Sequence, residues 1–280
     1  MAVENWRSSL EIYDLRRGDL RVVLQTDRLI EAPNWHPDGW LMVNGDGRLW
    51  RVPLAAPELV PIDTGFCDRC NNDHGFLPDG RIVLTHHTGA GAAIYALGPD
   101  GPEPLVRDRP SWWHGATGTQ ITYAAARGGR GVRICRMDLT TGVEQILTAD
   151  LCDRDGAEVH HDGPDYSACG QHIWFNCDLG GHAQIWRMRQ DGSGAAQVFA
   201  DAQVNWFPHP SPCGAHVLYL AYPPGTTGHP RDLSVALWLM DVQGGQRRKV
   251  VDLFGGQGSI NVPCWAPDGH AFAFMRYAPA

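Results

Sequence analysis

Two adjacent histidines, His160 and His161, stand in the run GAEVHHDGPDY over residues 156–166, with Glu158, Asp162 and Asp165 around them. Imidazole titrates near neutral pH and neighbouring carboxylates orient or tune it, so the run holds the parts for acid–base catalysis or divalent-metal ligation. His160, His161 and Asp162 are the catalytic candidates, with Arg231 as a fixed positive charge. Neighbours on a strand face opposite sides, so the two histidines serve one site only if the backbone turns between them. The segments NWFPHP (205–210), PPGTTGHPRDLS (223–234) and GGQGS contribute His209, His229 and Gln257. With His160 these three are the candidate ligands for a divalent metal, Mn, Ca or Zn.

Other chemistry has less support. Cys67 and Cys70 form a CxxC with His74 close behind, but a structural zinc site usually brings a second pair, and the remaining cysteines are solitary. Eight cysteines in a chain of 280 residues, several inside apolar runs, read as reduced thiols. Of 23 basic residues only Lys249 is a lysine, which disfavours Schiff-base chemistry. There is no phosphate-cradling loop, dinucleotide fingerprint or GxSxG elbow, so no nucleotide cofactor is expected. The net charge of −8 with scattered arginines disfavours nucleic acid and anionic membranes as partners. The opening residues lack a basic segment followed by an apolar one, and no run is long enough to span a bilayer, which reads as cytoplasmic.

The elements that position these residues come from a repeat. A turn signal recurs about every 40 to 55 residues: HPDG at 36–39, LPDG at 77–80, a degraded ATG at 116–118, SACG at 167–170, SPCG at 211–214 and APDG at 266–269. Glycine suits the positive φ of such hairpin turns. Short β-rich runs follow them, and then a second run with an aliphatic–aromatic pair such as Leu49–Trp50, Ile94–Tyr95 or Ile185–Trp186. One such pair, Ile12–Tyr13, lies at the start of the chain. The chain therefore begins with the outer strands of a blade whose inner strands lie at its end, and closure removes two exposed sheet edges. The expected fold is all-β: a six-bladed β-propeller over 1–280, with blades near 31–63, 70–108, 111–150, 158–201, 204–253, and 258–277 completed by 8–27.

The PDG turns label one face of the ring, the bottom. Most histidines and many other polar residues fall toward the opposite face, the top. Counting back six residues from each turn proline, or its equivalent, places Glu31, Asn72, Asp162 and Asn261 at one level, with Trp206 in the same slot. Such a ring either holds a ligand or fastens neighbouring inner strands by hydrogen bonds. Glu31, Asn72, Asp73, His74, His114, Trp206 and Asn261 are the ligand-binding candidates.

The aromatic before the PDG turns and the LW or IW dipeptide of the third strand resemble TolB-like propellers across essentially the whole chain. The GH and WD signatures of seven-bladed WD-repeat proteins are missing. Among propellers, the one-sided His and carboxylate cluster is similar to that of oligogalacturonate lyases, in which a metal bound by His and Gln helps abstract a proton next to a carboxylate. The close Gln and His spacing of those lyases is absent here, so the metal candidates rest on position. The resemblance implies either a carbohydrate-processing enzyme of lyase or isomerase type, using a divalent metal on a small or oligosaccharide ligand, or a non-catalytic platform for protein partners. The fold alone does not choose between them.

Overall fold

The computed structural model describes residues 6–128, 131–152 and 158–279. Gly156 and Ala157 of the histidine run, and residues 1–5 and 280 at the chain ends, lie outside the described residues.

Second strands such as Ile82–Thr88 and His216–Tyr222 are buried along most of their length because each blade packs against a neighbour on either side. Antiparallel pairing gives five four-stranded sheets and one of three strands, and each four-stranded sheet takes its strands in chain order. The result is a six-bladed β-propeller. The innermost strands of the five full blades are Glu31–His36, Cys70–Phe76, Ser111–Thr117, His161–Tyr166 and Val204–Pro210.

The sixth blade joins the two ends of the chain. Strand Trp6–Asp14 pairs along its whole length with Ala271–Pro279, and Asp19–Thr26 lies outside it. Arg276 clips the seam by donating from Nε and one terminal nitrogen to the two oxygens of buried Glu11, at 2.9 and 3.1 Å. Apolar side chains from both blades, including Leu10, Ile12, Ile30, Val43 and Met275, fill the space between this blade and the next.

The blade departs from expectation on its inner side, where the sequence pattern suggests a fourth strand near 260. That place is taken by an irregular segment held by a bridge from Trp265 to Phe272 and by bonds from the Ala273 and Met275 amides to the Cys264 and Ser259 carbonyls. Glycine explains the irregularity. Gly256 and Gly258 sit at φ +125 and +92, and a Cβ on Gly258 would fall 2.6 Å from both Glu31 Oε1 and Tyr277 Oη. The segment thus presses against the first blade instead of running straight beside its own.

Each of the five inner strands is interrupted by a register shift at one corresponding level, between Glu31 and Asn34, Cys70 and His74, Trp113 and Gly115, Asp162 and Asp165, and Trp206 and His209. In three blades the residue after the ring position takes a left-handed conformation, Ala32 at φ 54, Gly163 at 58 and Phe207 at 54, and a proline follows. These are β-bulges, which locally re-aim side chains. No helix among the described residues is long and apolar enough to cross a membrane.

Candidate functional site

The bulges turn Glu31, Asn72 and Asp162 into a cavity of about 740 Å³ at the top of the channel, and the irregular segment adds Asn261 and Gln257. Asp73, His114, His160, His229 and Arg231 line the same space.

Asp162 is the hub. Its side chain is 13% exposed; Oδ1 accepts from the Gly163 amide at 2.8 Å and faces His114 Nε2 at 3.0 Å. Its other oxygen, Oδ2, is approached by His160 Nε2 at 3.6 Å and His229 Nε2 at 3.7 Å. Burial works to neutralise this carboxyl, but His114 and His160 outweigh it and hold Asp162 well below the usual carboxylate range. In return, Asp162 overcomes the effect of burial on His114 and His160 and raises both imidazoles. His229, for which burial dominates, is lowered. Two other carboxyls in the cavity move the opposite way from Asp162. Burial pushes Asp73 up to about 6, and burial raises Glu31 against the opposing effects of Arg231 and Asn72. Groups in one cavity whose environments drive their pKa values apart are the arrangement acid–base catalysis needs.

The 223–234 loop is fixed by its Pro230 carbonyl, which accepts from Tyr222 Oη at 3.1 Å and the Gln257 amide at 3.3 Å. This sets the His229 ring edge-on to Trp206, with centroids 4.4 Å apart, and against Phe207. Arg231 reaches the cavity beside Asp232, to which its Nε donates at 2.9 Å.

Several sequence candidates lie elsewhere. His161 turns away from the cavity, as strand alternation requires, with Nδ1 near the Val132 carbonyl and Arg133; burial takes it down to about 4. His74 is enclosed between Asn34 and Asn44, at 2.6 and 3.1 Å, and burial takes it down to about 3. Trp206 backs the site by packing on His229 and His160 without lining the cavity. His209 lies deeper in the channel, with Nδ1 3.0 Å from Asp165 Oδ2 and Nε2 donating to the Ile260 carbonyl at 2.6 Å.

That placement bears on the metal. Both His209 nitrogens are committed to protein partners, so the four nominated ligands do not converge. Among the described residues, no group of three or more His, Cys, Asp and Glu side chains is arranged to hold a metal ion. The donor set does not fit Mn, Ca or Zn as nominated. Cys67 and Cys70 are free buried thiols that burial pushes up to about 11 and 12, which suits an inert packing role.

Sequence reasoning missed Trp112 and Asn44 and gave no role to His87 among the upper histidines; all three line the cavity. Trp112 pairs with Ala124 just before its bulge and so fills the ring position of the third blade. The signal was obscured because that blade's turn, ATG, is degraded and offers neither a proline nor an equivalent position in a four-residue turn to count from.

The sheet order, the joined ends and the polar upper channel define a closed six-bladed propeller of the TolB-like kind. The chain is 44% identical over 281 residues to an uncharacterised protein of Agrobacterium fabrum, covering 98% of this chain and 93% of the relative. A solved structure from Agrobacterium tumefaciens, described as a candidate TolB, shares 43% identity at a TM-score of 0.92 and covers 98% of this chain and 99% of its own. The chain belongs to the family of that TolB-like Agrobacterium propeller. An oligogalacturonate lyase in complex with manganese matches at 14% identity and TM-score 0.52 over 94% of this chain and 70% of its own, which is a likeness of fold alone. No family model matches the chain.

Proposed function

We propose that the top of the channel binds a small carbohydrate-like ligand and moves a proton on it, in a reaction of lyase or isomerase type. The supporting observation is the buried carboxylate of Asp162, held well below the usual range and gathered among His114, His160 and His229 in a cavity open to ligand.

His160 serves as the base that takes a proton from carbon, and Asp162 stabilises the imidazolium that results. Asp73, held partly protonated by its burial, returns a proton to the departing or neighbouring oxygen. Arg231 and Gln257 orient the ligand's carboxyl or carbonyl group, and Glu31, Asn72 and Asn261 take its hydroxyls. No step is routed through a metal, since both nitrogens of His209, one of the nominated donors, are taken by protein partners.

The test is a thermal-shift panel of neutral sugars, amino sugars, uronic acids and oligogalacturonates, followed by an ultraviolet assay for unsaturated product on any binder. A stabilising ligand whose turnover fails in His160→Gln and persists in His161→Gln is the expected result. A panel without any stabilising ligand, or turnover indifferent to His160, refutes the reading.

A further inference from the structure

Two ring positions of the upper channel are tryptophans, and their surroundings differ. Trp206 of the fifth blade is 4% exposed, packs into an apolar cluster and has the His229 ring edge-on against it. Trp112 of the third blade lines the cavity half-buried and belongs to none of the apolar clusters between blades. Among the described residues its ring meets no other aromatic ring and no cation, and its Nε1 has no hydrogen-bond partner. Unlike the Nε1 atoms of Trp113 and Trp206, that nitrogen is not enclosed. An indole left out of the core keeps a large apolar face toward the cavity, with one N–H to spare.

The strand holds this plate in position. Trp112 pairs with Ala124 on the regular side of the bulge, and two residues further on His114 faces the same cavity, 3.0 Å from Asp162. By blade order the indole stands between Asn72 and Asp73 on one side and Asp162 with His160 on the other. An apolar plate bordered by amide, carboxyl and imidazole groups matches a ring with C–H bonds on its face and hydroxyls around its edge. A pyranose is such a ring: its slightly positive C–H hydrogens meet the negative face of the indole, and its hydroxyls reach the flanking groups. An acyclic polyol carries the same hydroxyls but must freeze several torsions to lay down a comparable face. A planar heteroaromatic ring stacks as well but brings no fringe of hydroxyls.

Building on the carbohydrate reading of this cavity, we propose that Trp112 is its stacking platform and that the ligand is a pyranose, laid with one C–H face on the indole between Asp73 and His160. The test is saturation-transfer difference NMR on the full chain with neutral, amino and uronic pyranoses, beside galactitol and adenosine as acyclic and planar controls. A pyranose should saturate, with transfer concentrated on the C–H protons of one ring face, and neither control should bind as tightly. Trp112→Ala should weaken binding by about ten- to thirtyfold. Trp112→Phe, which keeps an aromatic face, should stay within about threefold of wild type. Both variants should melt like wild type, because the side chain lies outside the packed clusters. Pyranoses that bind Trp112→Ala as tightly as wild type, or transfer spread evenly over the sugar, overturn the platform and leave the carbohydrate reading standing. Galactitol or adenosine binding more tightly than every pyranose overturns the ligand class. Wild type that binds no sugar at all overturns the carbohydrate reading and the platform with it.

Discussion

Glu31, Asn72, Asp162 and Asn261 at the upper level of the channel have their counterparts four positions further along in Trp35, Phe76, Tyr166 and Trp265 at the lower level. The same strands, about 13 Å apart along their length, therefore build a polar, titrating cavity at one end and a largely aromatic one at the other. The bulge between the two levels makes this division: it breaks the register once per blade, so each side of it is presented to the channel independently. A repeat chosen for ring closure thus yields two unlike channel mouths, and the layer between them keeps them apart. Gly75 and Gly115 belong to that layer, where the Trp113 ring lies against Gly75.

The strongest way to break the comparison is to disturb that layer. A Cβ on Gly75 would sit 2.3 Å from the Trp113 ring, which is only 2% exposed and cannot swing to solvent. Gly75→Ala should cost about 2–3 kcal/mol in urea unfolding and perturb ligand binding at the upper cavity. Gly89→Ala, where a Cβ meets nothing within 4 Å, is the control and should stay within about 0.5 kcal/mol of wild type. Equal stability of the two variants would mean that the dividing layer is soft.

A second effect separates the two ends by pH. Asp73 has a folded value of about 6 against an ordinary 3.8, so the folded state holds its proton more tightly and stability falls as pH rises from about 4 to about 6. His74 next to it is lowered from 6.5 to about 3, so the unfolded state takes up the proton first and stability falls as pH drops through the same window. The two slopes oppose each other in wild type. Asp73→Asn removes one of them, so its stability should climb with pH between about 4 and 6 and exceed wild type at pH 7 by about 2–3 kcal/mol. Chemical denaturation across that range measures it, and a variant whose pH profile parallels wild type would show that Asp73 is not held neutral.

The fold was legible because its signals are local and repeated: PDG turns set the period, and Ile12–Tyr13 stood where only a closing blade would use it. The ring of Glu31, Asn72, Asp162 and Asn261 was legible for the same reason, as one offset counted from the turn proline or its equivalent. What counting could not supply was the rotation of individual side chains. His161 and His209 looked equivalent to His160 by composition, yet alternation sends the first out of the cavity and the bulge sends the second to the lower level, where Asp165 takes it. His114 was placed near the channel, but its bond to Asp162 crosses between blades three and four, a pairing invisible to any local pattern. The fourth strand expected near 260 failed because Gly256, Gly258 and the packing of Glu31 override an otherwise apolar run.

The gentlest probe of the upper site leaves its shape intact and removes only a charge. In Asp162→Asn the amide oxygen still accepts from His114 and the volume hardly changes, so the fold should hold. The ionised carboxylate is what lifts His114 and His160 against burial, whereas burial alone governs the direction at His74 and dominates at His161. Without it, the His114 and His160 ring titrations should each move down, and those of His74 and His161 should stay in place. Stability linked to these groups follows the same sign: imidazoles raised in the folded state add stability below 6.5 that is lost as pH rises through their folded values, and the variant should lack that contribution. Long-range proton–nitrogen NMR of the imidazoles resolves these rings side by side. A shift confined to the three imidazoles that face Asp162, those of His114, His160 and His229, would tie the charge to the upper site alone. An unmoved His160 would remove Asp162 as the partner of the proposed base.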